Sequence, residues 1–152
     1  MSYLRVNSYS AGRNLAAAMP GDVVSLAELL TTVTGAGAQT ITAAALAGQV
    51  ILRTGAGVVS DITDTAVNIM QSMYGNVGSE PMIGEGFLSF FSNQGASTVT
   101  ITGGVGVTVS GNSAVLANTM KTFFVVCTAP GVKTFSAGIY TNVGATFNVI
   151  CL

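Results

Sequence analysis

From Gly84 to Leu152 the chain reads as a train of short β-rich runs punctuated by Gly, Asn, Ser and Pro. Apolar and small polar residues alternate there at period two, the mark of strands buried on one face, and the punctuating residues are those that turns require. Candidate strands lie at 87–91, 98–102, 105–110, 122–128, 133–140 and 146–152. This spacing predicts a mainly β fold, an antiparallel β-sandwich or jelly-roll-like barrel. Within it, TVTITGGVGVTVSG predicts a tight hairpin turning at Gly103-Gly104, where glycine supplies the positive φ such turns need. The run FFVVC, residues 123–127, is apolar on both faces, which places its strand inside a sheet.

Upstream of residue 84 the pattern is less regular. Residues 22–30, DVVSLAELL, fit a short helix or a turn and strand equally. Residues 39–47 begin as a strand and turn helical, as Thr and Ile give way to alanines. Residues 49–54 predict a short strand with Val50 and Leu52 on one face and Ile51 and Arg53 on the other. Over 61–74, Ile62, Ala66, Ile69, Met70 and Met73 make one apolar stripe and predict a short helix. Asp61 or Thr63 is its candidate cap, Asp64 suits the positive end of its dipole, and Gly75-Asn76 ends it.

Residues 1–20 show no sustained period and have two readings, a solvated terminus or an extended N-terminal arm lying on a neighbouring subunit. In the second reading Tyr3, Leu4, Arg5, Tyr9 and Arg13 are the candidate interface residues. Residues 21–152 are long enough for a single β-rich domain with its own core.

Charge narrows the function. Five Lys and Arg and six Asp and Glu make 7% of the chain, where a soluble domain carries roughly 25%. Apolar residues make up 49% of the chain and mean hydropathy is +0.63. Such a surface is either rich in Ser, Thr, Asn and Gly or largely covered in an assembly. The basic residues Arg5, Arg13, Arg53, Lys121 and Lys133 are scattered, so no nucleic-acid partner is expected. No apolar run reaches the ~18 residues that cross a bilayer, so no membrane partner is expected either. The short apolar stretch after Arg13 is too brief for a secretion signal.

The chemistry-bearing residues are equally sparse. The chain has no histidine, which removes the commonest general base and every Ser-His or Cys-His nucleophile. Asp61 and Asp64 read as helix-start residues, and Glu80 and Glu85 lie in a Gly- and Pro-containing linker where nothing makes them face each other as a hydrolytic pair would. Gly103-Gly-Val-Gly106 and Gly55-Ala-Gly57 lack phosphate-loop spacing. Cys127 and Cys151 sit in strand-like runs as small hydrophobes. The expectation is a protein that is not an enzyme, with no catalytic residue, cofactor, metal or small-molecule substrate.

Three segments carry a resemblance: ILRTGAGVVSDITDTAVNIM (51–70), GEGFLSFFSNQGASTVTITGGVGVTVSGN (84–112) and LANTMKTFFVVCT (116–128). Their order of an Arg-Thr-Gly strand at 53–55, an acid-capped Asp-Thr-Ala helix at 64–66, a Phe-rich strand over 86–93 and a Thr- and Gly-rich pair over 98–111 resembles small structural proteins of tailed-bacteriophage virions. Those are capsid decoration (cement) proteins and related head and fibre components. The resemblance implies a virion structural protein made in the host bacterial cytoplasm and placed on the capsid exterior. Its implied partner is the major capsid protein, and its role is to bind and stabilise the assembled shell; a tail-fibre, spike or head-fibre module is the alternative. It implies no active site. A homo-oligomer suits such a subunit, a trimer first, because a closed ring consumes sticky surface.

Overall fold

A computed structural model describes residues 30–48, 50–55, 57–74 and 83–152. The candidate arm, with Tyr3, Leu4, Arg5, Tyr9 and Arg13, lies outside the described residues, as do Glu80 and the expected helix end at Gly75-Asn76.

The first half of the fold follows from a short motif met three times: TGAG at 34–37, TGAG at 54–57 and QGAS at 94–97. Each copy ends a strand of one sheet and starts the path to a strand of another. Strands β1 (Leu30–Thr34), β3 (Val50–Thr54) and β5 (Gly86–Asn93) enter the motif; β2 (Thr40–Ile41), β4 (Val59–Thr63) and β6 (Val99–Thr102) leave it. Equivalent strands then stack in parallel, β1 on β3 on β5 and β2 on β4 on β6. Parallel neighbours need a long connection to return the chain to its starting end. Here the return runs through the second sheet and, in the first two rungs, through helices α1 (Ala43–Ala47) and α2 (Ala66–Tyr74).

Helix α1 follows the alanine run and is capped at its start by Thr42, whose hydroxyl accepts from the Ala45 N–H at 3.2 Å. Helix α2 starts later than the stripe predicted. Residues 59–63 are strand, and the cap is Thr65, whose hydroxyl accepts from the Asn68 N–H at 3.2 Å. Asp61 and Thr63 therefore do not cap it. Alternating burial across Val59–Thr63 won over helical spacing because Asp61 and Thr63 have buried partners only in the extended form.

The second half adds β7 (Val107–Ser110), β8 (Ala114–Val115), β9 (Thr119–Ala129), β10 (Val132–Ser136), β11 (Ile139–Val143) and β12 (Thr146–Cys151). The large sheet has the order β1-β3-β5-β9-β12-β7, the second β2-β4-β6-β8, and β10-β11 form a two-stranded ribbon. The fold is mainly β and sandwich-like, as the alternation predicts, but its pairing is mixed. Antiparallel ladders join β5 to β9, β9 to β12 and β6 to β8, while β12 and β7 run parallel.

One expected hairpin and one expected strand change accordingly. Gly103-Gly104 does not turn a hairpin, because β6 and β7 belong to different sheets. It forms a corner where a Cβ on Gly103 would press into the Val107 carbonyl and one on Gly104 into the carbonyls of Thr63 and Asp64. The run 133–140 is not one strand: Ala137 and Gly138 both adopt positive φ, 51° and 80°, and fold it into the β10–β11 hairpin.

One core fills the space between the sheets. Ile51, Phe91, Phe123, Val125, Phe147 and Val149 meet Ile41, Val99, Ile101 and Val115 of the second sheet, and Leu46, Ile69 and Met70 close it from the helices. Strand β9 lies between β5 and β12, the interior place expected of FFVVC. Its Phe123, Val125 and Cys127 are fully buried, while Phe124 and Val126 are half-buried on the outer face.

Candidate functional site

Strand alternation points Ile51 and Arg53 inward together, so a guanidinium enters the core. Arg53 is fully buried, and so is Asp61, which faces it from β4. Nε of Arg53 donates to Oδ2 of Asp61 at 2.6 Å, and Nη2 donates to Oδ1 at 3.3 Å. The remaining N–H groups go to backbone carbonyls: Nη1 to Gly35 at 2.7 Å and Thr54 at 2.9 Å, Nη2 to Gly37 at 2.7 Å. A guanidinium has five donors, and all five are used. Asp61 also accepts from the Gln39 N–H at 2.8 Å. This cluster joins the first two TGAG turns; with no donor or face left for a ligand, it is a clasp.

The third rung carries a neutral version. Asn93 stands in register with Arg53, as Arg53 does with Val33. Its Nδ2 donates to the carbonyls of Ser97, Val115 and Leu116, and its Oδ1 accepts from the Gly95 N–H. A buried amide thus holds the QGAS turn where a buried ion pair holds the two turns before it.

Asp64 ties the two helices. Its Oδ2 accepts from the Ala43 N–H at 3.0 Å, at the start of α1, and its Oδ1 accepts from the Thr65 N–H at 2.8 Å and Asn68 Nδ2 at 2.6 Å. Burial pushes its pKa up, but the hydrogen bonds from Asn68, Ala43 and Thr65 outweigh burial and hold the carboxyl below its ordinary value of 3.8. A folded-state value below the unfolded one contributes stability that is fully present above the unfolded value and lost as pH falls through the folded one. The unfolding free energy is therefore expected to decline as pH drops from about 5 toward 2. Asp64→Asn should flatten that part of the profile, as read by denaturant titrations at several pH values. An unchanged slope in the variant would contradict this role.

The remaining reactive groups do not assemble. Burial raises the Cys127 thiol pKa, with Glu85 adding to the rise, and burial raises that of Cys151 against the opposing pull of Lys121. Both are thus poor nucleophiles at neutral pH. They sit at opposite ends of the β9–β12 ladder, Cys127 opposite Phe147 and Cys151 opposite Phe123. Among the described residues no three Cys, Asp or Glu side chains come together as a metal site would require.

What the fold does present is an exposed apolar ribbon, whose β11 packs beside helix α2. Strands β9 and β12 continue into β10 and β11 across a bend at Pro130-Gly131 and Gly144-Ala145. Gly131 and Gly144 have φ of 74° and 77°, and a Cβ on Gly131 would lie 2.6 Å from both Val143 O and Ala145 N. The side-chain amide of Asn142 donates to Pro130 O at 3.0 Å and fixes the bend. On the ribbon beyond it, the rings of Phe135 and Tyr140 pack at a 45° tilt with centroids 4.6 Å apart, and Lys133 lies 4.9 Å from the Tyr140 ring. Val132, Phe135, Ile139, Tyr140 and Val143 are all exposed. Ser136-Ala137-Gly138 was the available signal in the sequence, since small and glycine residues inside a strand-like run mark a turn. Compared with protein-family models, curated proteins and solved structures, the chain matches none.

Proposed function

We propose that this chain is a non-enzymatic structural protein of a tailed-phage virion, which binds the outer face of the assembled capsid and stabilises it. The observation that carries the reading is the exposed apolar β10–β11 ribbon on a chain of which only 7% is charged. Such a surface gains free energy by being covered. The buried polar pair Arg53 and Asp61 is consumed in holding turns. The resemblance to decoration proteins supplies the partner, the major capsid protein. Repetition of one modest contact over a shell multiplies its effect on the whole particle. No helix among the described residues is long and apolar enough to cross a membrane.

The test is addition of purified protein to assembled shells that lack it. Co-sedimentation with the shells and a higher shell rupture temperature are expected; absence of both would overturn the reading. The exposed rings of Phe135 and Tyr140 favour a second reading, a fibre or spike module in host contact, because aromatic side chains supply large contact area at low entropic cost. Adsorption of the purified protein to host cells, with no binding to shells, would establish that one instead.

A further inference from the structure

We infer that the open edge of β1 is a docking site for this chain's own residues 5–9, which add to it in parallel as the first strand of one more rung. Among the described residues, β1 and β2 are the end strands of their sheets, and they stand at the same end of the stack. The inward side chains show the stack to be unfinished there. On β3, Ile51 and Arg53 are fully buried. Their register partners on β1, Thr31 and Val33, are only half-buried. In stacked repeats each rung is covered by its neighbours, and the end rung needs a cap. As an edge, moreover, β1 is unguarded: LTTVT carries no charge and no proline, the residues by which natural edges deter foreign strands.

The sequence ahead of β1 supplies the occupant. A near copy of the turn motif, YSAG, stands at 9–12, against TGAG at 34–37 and 54–57 and QGAS at 94–97. An alanine run follows it at 16–18, as one follows the first TGAG at 43–45. Aligning Gly12 with Gly37 sets Val6 beside Thr31 and Ser8 beside Val33, both on the inward face. That pair repeats the order of the later rungs, apolar and then polar: Ile51 and Arg53 on β3, Phe91 and Asn93 on β5. Arg5, Asn7 and Tyr9 then fall on the outward face, and Arg5 gives the new edge the charge that β1 lacks.

Chain length and tethering agree with this occupant. Parallel neighbours need a crossover, and the path from Gly12 to Leu30 is longer than the path from Gly37 to Val50, which already completes one. Because the segment is joined to β1, its effective concentration at that edge exceeds that of a free strand from another molecule. The inference does not depend on a capsid.

The test is a pair of engineered cysteines in the full chain. Val6→Cys with Thr31→Cys should link under oxidised glutathione, since paired residues of adjacent strands meet the distance a disulfide requires. Asn7→Cys with Thr31→Cys is the control, with its thiols on opposite faces, and the bond should be lost there. Non-reducing gels and peptide mapping separate a 6–31 bond within one chain from a bond between chains. Hydrogen exchange on the wild type needs no variant: amides over 5–9 should exchange at least about a hundredfold more slowly than in an unfolded chain. Val6→Lys, which sets a charge on the inward face, should abolish that protection and lower the denaturation midpoint. Unprotected amides over 5–9 overturn the inference, and so does a wild-type midpoint in Val6→Lys. Equal linkage from positions 6 and 7 overturns it as the mark of a solvated terminus, and a bond between chains overturns it by giving the segment to a neighbouring subunit. Failure of the protein to bind shells leaves this inference standing and overturns the capsid reading alone.

Discussion

Replacing Asp61 with asparagine is expected to lower the unfolding free energy by about 3–5 kcal/mol, the cost of leaving one partner of a buried ion pair uncompensated. That is a large share of a typical domain stability of roughly 5–15 kcal/mol. The asparagine amide would set its own donors against Nε or Nη2 of Arg53, both of which now point at carboxylate oxygens. The shift in denaturation midpoint at neutral pH measures the effect, and a wild-type midpoint would refute it. Where an ion pair is isolated, swapping both partners for apolar groups often restores stability. Here it should not. Arg53→Met with Asp61→Leu would strip partners from the carbonyls of Gly35 and Gly37 and from the Gln39 N–H. Those bonds are part-buried and each is worth about 0.5–1.5 kcal/mol net, so the double variant is expected to remain below wild type.

Phe123→Ala is expected to cost about 3–5 kcal/mol, through lost transfer free energy and the cavity left behind. Phe123 is fully buried at the centre of the large sheet, directly opposite Ser89 of β5. Its ring lies 6.0 Å from that of Phe91, tilted by 54°. That geometry adds roughly 0.5–1.5 kcal/mol of coupling, which a double-mutant cycle on the two rings isolates. Phe124→Ala is the internal control. One residue along the same strand but half-buried on the outer face, it should cost clearly less. Equal losses at 123 and 124 would mean that the two faces of β9 are buried alike, against the structure.

The β class, the interior place of β9, the facing of Ile51 with Arg53 and, apart from Ile62, which is exposed on β4, the apolar stripe of α2 were legible from periodicity. Each depends on which side of one element is buried, and alternation reports that locally. The parallel stacking was not read, although its signal was present. TGAG, TGAG and QGAS recur with a stacked register 20 residues apart between β1 and β3 and 40 apart between β3 and β5, as Leu30 pairs with Val50 and Val50 with Phe90. Such repetition marks stacked rungs. Strands joined by glycine turns look the same to period-two analysis whether they fold back as hairpins or pass to a second sheet. The same ambiguity made a corner at Gly103-Gly104 read as a hairpin and hid the turn at Ala137-Gly138.

The candidate surface was less legible than the fold. The scarcity of charge indicated that function lies in covered surface, but it did not say where. The expected contacts at Tyr3, Leu4, Arg5, Tyr9 and Arg13 lie outside the described residues. Phe135 and Ile139 are indistinguishable in the sequence from core residues of a strand such as Phe147 and Val149. Only the bend at Gly131 and Gly144, which carries β10 and β11 past the end of the large sheet, leaves the first pair in water and buries the second.

By itself, then, the order of residues determined the β class, the apolar faces of its elements and the absence of histidine chemistry. These are properties of single residues or short windows. Tertiary structure alone decided that Arg53 and Asp61 meet, that Asp64 serves two helices, and that the β10–β11 ribbon keeps apolar side chains exposed. Each of those joins groups whose distance depends on how sheets stack and where a corner falls. The energy that selects the arrangement, five hydrogen bonds to one guanidinium and a shared apolar core, exists only once the rungs are in register.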